Sequence, residues 1–170
     1  MAPWHGEALW QDEAPWQDET AGLVILPDGR RVRGRGLRNA LPAADELPEF
    51  GLYLTGKPYA ADRWASRWVR WPDFRLPHEK PDAIEAILDV HDRAAGERVE
   101  IACDGGIGRT GTVIALLARL SGVPATDAVA WARSHYRADA VETPWQRRFV
   151  ATAELERYTG IRPAGNPPLQ

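Results

Sequence analysis

Cysteine is almost absent from this chain, with one thiol, Cys103, among 170 residues. A lone cysteine excludes an internal disulfide and any zinc site built on several thiolates. A long apolar run is missing too: nothing approaches the ~20 residues needed to cross a bilayer. The first residues lack the basic-then-apolar pattern of a secretion signal, so the cytoplasm is the expected compartment. There is no excess of either charge, 21 Lys and Arg standing against 24 Asp and Glu for a net charge of -3. That balance argues against a general nucleic-acid binder. The four histidines, His5, His78, His91 and His135, are too scattered to suggest a metal site.

What is present suits one globular domain with an ordinary hydrophobic fraction of 44%. Residues 1–20 stand apart as an arm. Leu9 to Ala14 is nearly repeated as Pro15 to Thr20, and Trp4, Trp10 and Trp16 fall six apart. The expected form is an extended arm whose tryptophans dock on the domain; a partner-binding segment is the alternative. The domain spans 21–160, and 161–170, rich in proline and glycine, is expected to be loose.

Leu23 to Leu26, a Pro-Asp-Gly turn and Arg30 to Leu37 predict a β-hairpin. Arg30, Arg31, Arg33, Arg35 and Arg38 within it read as a solvated strand face, with attraction of anionic substrates as the minor alternative. Short strands follow at Leu52 to Leu54 and Trp68 to Trp71, the latter stopped by Pro72. Pro81 to Ala95 has helical periodicity with proline in its first turn. Arg98 to Ala102 is a strand ending at Cys103, and Thr110 to Leu120 is a helix apolar on nearly every face. Further helices are expected at about 126–135 and 144–158. Strands alternating with helices imply an α/β fold: a central, mostly parallel sheet flanked by helices on both faces. Ligands of such folds sit where strands end and helices begin.

At that junction lies Cys103-Asp104-Gly105-Gly106-Ile107-Gly108-Arg109-Thr110-Gly111. Three glycines let the loop adopt positive φ and turn amide N–H groups towards one point. The buried helix that follows aims its unpaired N-terminal amides at the same place. The result is an anion cradle, and it favours the nucleophilic thiolate of a cysteine set there. Arg109 opens the helix, and its planar fork can grip two phosphate oxygens.

A cysteine, five residues and an arginine, with Gly-Ile-Gly-Arg-Thr-Gly, resemble the phosphate-binding loop of the protein tyrosine phosphatase superfamily. By that resemblance Cys103 is the nucleophile, residues 104 to 109 (Asp104, Gly105, Gly106, Ile107, Gly108 and Arg109) bind the phosphoryl group, and Thr110 steadies the thiolate. Upstream, Trp71-Pro72-Asp73-Phe74-Arg75-Leu76-Pro77 looks like the family's mobile Trp-Pro-Asp loop, which would make Asp73 the general acid and then the base. Downstream, Glu142-Thr143-Pro144-Trp145-Gln146 is similar to its glutamine loop, implying that Gln146 orients the attacking water with help from Glu142. The same residues also form a helix start, with Thr143 as N-cap and Gln146 at the third position. Both readings are compatible.

The resemblance implies a cofactor-free, metal-free phosphatase working through a phosphocysteine. Its expected substrate is a phosphoprotein or a small phosphate ester, phosphotyrosine preferred and dual specificity the variant. Two departures stand out. Ala102 occupies the place where these enzymes nearly always carry a loop-ordering histidine. Asp104 sits where phosphoinositide-directed relatives often carry lysine, and a carboxylate there disfavours a polyanionic headgroup. The rivals are a phosphate-binding pseudophosphatase and an enzyme for inositol phosphates or other small esters. Trp64, Trp68 and Trp71 are expected to pack beneath the acid loop.

Overall fold

The computed structural model describes residues 16–41 and 46–159. Trp4 and Trp10 of the arm and the segment 161–170 lie outside the described residues. Five strands, β1 (Leu23–Ile25), β2 (Arg31–Gly36), β3 (Phe50–Thr55), β4 (Ala65–Arg70) and β5 (Val99–Cys103), form one sheet in the order β1-β2-β5-β3-β4. Only the β1–β2 hairpin is antiparallel; β5 runs parallel to both its neighbours, β2 and β3. Among the described residues five helices accompany it: α1 (Lys80–Arg93), α2 (Gly108–Leu120), α3 (Ala128–His135), α4 (Pro144–Thr152) and α5 (Leu155–Thr159). The α/β class with a mostly parallel sheet is as expected.

Side chains alternate across a strand, and here the two faces have different chemistry. Val32, Leu52, Leu54, Val69, Val99 and Ile101 share one apolar core with the buried faces of α1 and α2. Ala128 and Ala132 of α3, Phe149 and Val150 of α4 and Leu155 of α5 join the same core. Among the described residues all five helices therefore bury their apolar residues on one side of the sheet, not on both faces as expected. α2 lies at the centre of that layer, and its residues Gly108 to Ala118 are all buried.

The opposite face is polar at its heart. Glu100, wholly buried, accepts from Arg33 Nη2 at 2.7 Å, from Arg35 Nε at 2.6 Å and Nη2 at 3.0 Å, and from the Tyr53 hydroxyl at 2.9 Å. The Trp64 indole donates to the Tyr53 oxygen at 2.7 Å, and the Trp16 ring lies 4.3 Å from the Arg33 guanidinium. Burial works to raise the Glu100 carboxyl, but the Arg35 hydrogen bond and the Arg33 charge prevail and hold it below its ordinary value. Breaking a buried ion pair by removing one partner costs about 3–5 kcal/mol, because the other charge stays buried and uncompensated.

This network corrects the reading of the arginine stretch as a solvated face. Arg33 is 1% exposed, since its strand neighbour β5 supplies a carboxylate from 67 residues away. The tryptophan reading also changes. Trp64 serves the Glu100 network, Trp68 donates to the Thr55 carbonyl, and Trp71 alone of the three packs on Phe149 behind the acid loop. The expected helix over 144–158 is two. Ala153 leaves helical geometry (ψ 128°), and Arg119 Nη1 reaches the freed carbonyls of Val150 and Ala153 at 2.9 and 2.7 Å. A buried guanidinium thus satisfies the acceptors that a continuing helix would have used.

Candidate active site

β5 delivers Cys103 to the carboxyl edge of the sheet, between the ends of β2 and β3. Gly36 stands opposite Cys103 in the register with β2, and this pairing continues into the loop. Leu37 N–H donates to the Cys103 carbonyl at 2.9 Å and Arg38 N–H to that of Asp104 at 3.1 Å. Gly36 is required here: a Cβ on it would lie 2.8 Å from the Gly105 oxygen. Gly106 adopts φ 71°, the left-handed region that glycine enters without strain. Its N–H thereby reaches the Cys103 sulfur at 3.2 Å. The Thr110 hydroxyl donates to the same sulfur at 3.1 Å. Two donors from different parts of the loop therefore converge on one sulfur. Ile107, the N-cap of α2, offers no side-chain acceptor; of the amides that open α2, that of Gly108 donates to Glu142, and the cap residue takes up none of the others.

Arg109 is 2% exposed and joins three segments. Its Nη1 donates to the Trp71 carbonyl at 2.9 Å, and its Nη2 lies 3.3 Å from Asp73 Oδ1 and 3.4 Å from Asp104 Oδ2. Its Nε is the one buried side-chain nitrogen or oxygen among the described residues that lacks a hydrogen-bond partner. Leaving a charged donor buried and unsatisfied is costly, so such an atom in a cradle of amides points to an anionic ligand.

The acid loop is pinned from several sides. The Trp71 indole donates to the Arg75 carbonyl at 2.7 Å, and Asp73 Oδ1 accepts from the Phe74 amide at 3.0 Å. From the far side, the Trp145 indole bonds to the Phe74 carbonyl, and Gln146 Nε2 to that of Arg75 at 3.3 Å. Phe74 and Val141 are the two described non-glycine residues at positive φ, 59° and 63°. Such geometry costs of order 1–3 kcal/mol each and is held by surrounding contacts. For Val141 those come from Arg133, whose Nε and Nη2 reach the Ala140 and Val141 carbonyls, each at 2.9 Å.

The capping reading of the downstream segment holds. Thr143 accepts from the Gln146 amide at 3.1 Å, while the Gln146 side-chain oxygen accepts from the amides of Glu142 and Thr143 at 3.1 and 3.2 Å. Gln146 is fully buried. Glu142 leans over the end of the cysteine loop, where a Cβ on Gly108 would come within 2.4 Å of its Oε1. Burial, then the Asp73 charge, raise the Glu142 carboxyl, against a hydrogen bond from the Gly108 amide and the attraction of Arg109.

The sign of that shift makes a pH prediction. A carboxyl raised on folding binds protons more tightly in the native state, so its contribution to stability is largest in acid and fades as pH rises through the raised value. Glu142→Gln is therefore expected to raise the thermal midpoint relative to the parent at pH 7 but not at pH 4. A scan of both proteins across that range checks it; a difference independent of pH would contradict the assignment.

The structure thus brings Cys103, Arg109, Thr110, Asp73, Glu142 and Gln146 to one edge of the sheet. Sequence reading missed three contributors: Tyr136, whose hydroxyl bonds to the Gly106 carbonyl; Trp145, which ties the acid loop to α4; and Arg133 beneath Val141. An aromatic or basic residue near a helix end gives no local signal of such contacts.

Fold and site together define an α/β fold with one thiol at the carboxyl edge of its sheet, set between a glycine turn and a buried arginine. The chain belongs to the protein-tyrosine phosphatase family, whose model matches residues 51–156. Among its relatives is the human tyrosine-protein phosphatase non-receptor type 4, 32% identical over 100 residues; the match covers 54% of this chain and 11% of that much longer protein. An uncharacterized protein of Methanocaldococcus jannaschii is 33% identical over 123 residues, covering 61% of this chain and 76% of its own. The crystal structure of Tk-PTP in the active form superposes with a TM-score of 0.58 at 25% identity, covering 79% of this chain and 97% of that one. No described helix is long and apolar enough to cross a membrane.

Proposed function

We propose that this chain hydrolyses phosphate monoesters through a phosphocysteine, with phosphotyrosine as the preferred substrate. The observation that carries the reading is the unpartnered, buried Arg109 Nε beside a thiol that accepts two hydrogen bonds. An oxyanion is the ligand that satisfies both the guanidinium and a ring of amides.

In the first step the Cys103 sulfur attacks phosphorus. The S–P bond forms as the P–O bond to the leaving group breaks, and Asp73 gives that oxygen its proton. Residues 104 to 109 hold the three remaining oxygens, which carry the charge of the transition state. In the second step Asp73 takes a proton from water, the water oxygen bonds to phosphorus, and sulfur departs as a thiolate steadied by Thr110. Glu142, at the Gly108 end of the cradle, sets that water. Gln146 aligns it from behind, holding the Glu142 amide on one flank and the Arg75 carbonyl on the other.

The preference for phosphotyrosine draws support from the human relative, whose name is that of a tyrosine-protein phosphatase. The charge at the rim agrees: Asp73 and Asp104 already face Arg109, and a polyphosphorylated ring would meet both carboxylates. Turnover of a phosphotyrosine peptide, a phosphoserine peptide and an inositol polyphosphate by one preparation tests this. Fastest turnover of the inositol substrate would refute the preference.

Asp73→Asn is expected to lower kcat for phenyl phosphate by ~10²–10⁴-fold, the usual contribution of a general acid, with little change in KM. The loss should shrink with p-nitrophenyl phosphate, whose leaving group needs no proton. Equal losses with the two esters would remove Asp73 from the acid role.

A further inference from the structure

We propose that Tyr136 is a positioning residue for the phosphate cradle, its phenol holding the Gly106–Ile107 peptide so that the Ile107 amide faces the anion. The proposal rests on the phosphatase reading above.

Tyr136 is the C-cap of α3, far from the loop in sequence, and its hydroxyl donates to the Gly106 carbonyl. A peptide unit is a rigid plane whose N–H and C=O point in opposite directions. Fixing the Gly106 carbonyl outward therefore fixes the next amide, that of Ile107, inward. The preceding peptide is set separately, by the Gly106 N–H on the Cys103 sulfur. Together the two contacts hold the left-handed turn at Gly106 from both sides.

Little else in the loop can do this. Ala102, before the cysteine, is buried and brings no polar group. The Tyr136 ring is itself wedged in place: a Cβ on Gly34 of β2 would lie 2.5 Å from its carbons. Glycine at 34 therefore lets the ring reach the back of the loop. Burial, then the charge of Cys103, push the phenol well above its ordinary value, so the hydroxyl keeps its proton and remains a donor.

The test compares the parent with Tyr136→Phe, which keeps the ring against Gly34 and removes only the hydroxyl. Tungstate, an oxyanion bound without turnover, is titrated into each by calorimetry. Loss of the tether should weaken tungstate binding about tenfold, the scale of one buried hydrogen bond, and should lower the thermal midpoint only by what that one bond is worth. A second variant, Gly34→Ala, displaces the ring instead and should weaken tungstate binding in the same direction. Equal tungstate affinity in the parent and Tyr136→Phe would overturn the proposal. Turnover of p-nitrophenyl phosphate by the parent, measured on the same preparation, reports separately on the phosphatase reading.

Discussion

Cys103→Ser is expected to abolish turnover of p-nitrophenyl phosphate, lowering kcat by about 10⁴-fold or more, as removal of a covalent nucleophile does. A serine hydroxyl is far harder to ionise than a thiol, and two hydrogen bonds cannot make up that difference. The cradle should survive, because a serine oxygen can accept from the Gly106 amide in the sulfur's place, and Arg109 is held by Trp71, Asp73 and Asp104. Tungstate affinity is accordingly expected to stay within a few-fold of the parent. Steady-state kinetics and calorimetry on the same variant make the check, and persistence of more than about 1% of the parent's kcat would remove Cys103 from the chemistry.

The other large effect belongs to Arg109→Lys, with an expected loss of about 10³-fold in kcat/KM. Loss of one transition-state donor costs ~10²–10³-fold in rate. Lysine would forfeit more than one, since it carries a single compact ammonium in place of a planar fork. It cannot at once present a donor to the phosphoryl group, bond to the Trp71 carbonyl and lie between Asp73 and Asp104. The acid loop would lose its anchor together with the anion. Losses in both tungstate affinity and kcat are expected, and a variant with full activity would show that the fork is dispensable.

The parts of the site that could be read from sequence are those that chemistry confines to a contiguous segment. The strand, glycine loop and helix around Cys103 must be adjacent in the chain, and the box formed by Thr143 and Gln146 is a local device with a fixed spacing. What escaped depends on distant partners. Five arginines within nine residues look solvated until β5 places Glu100 beside two of them. The break at Ala153 depends on Arg119, a residue of another helix. Tyr136 meets Gly106 only because Gly34, on a third element, leaves room for its ring. None of these has a periodicity to detect.

The buried charges also have a bearing on the sulfur three positions downstream of Glu100. Successive side chains of β5 point to opposite faces, so sliding this strand by one residue would thrust the Glu100 carboxylate among Leu52, Val32 and the helices. The same slip would strand two guanidiniums without their counter-ion. The ion cluster therefore works as an index pin: it admits one alignment of the central strand, and that alignment brings the thiol out at the mouth of the cradle.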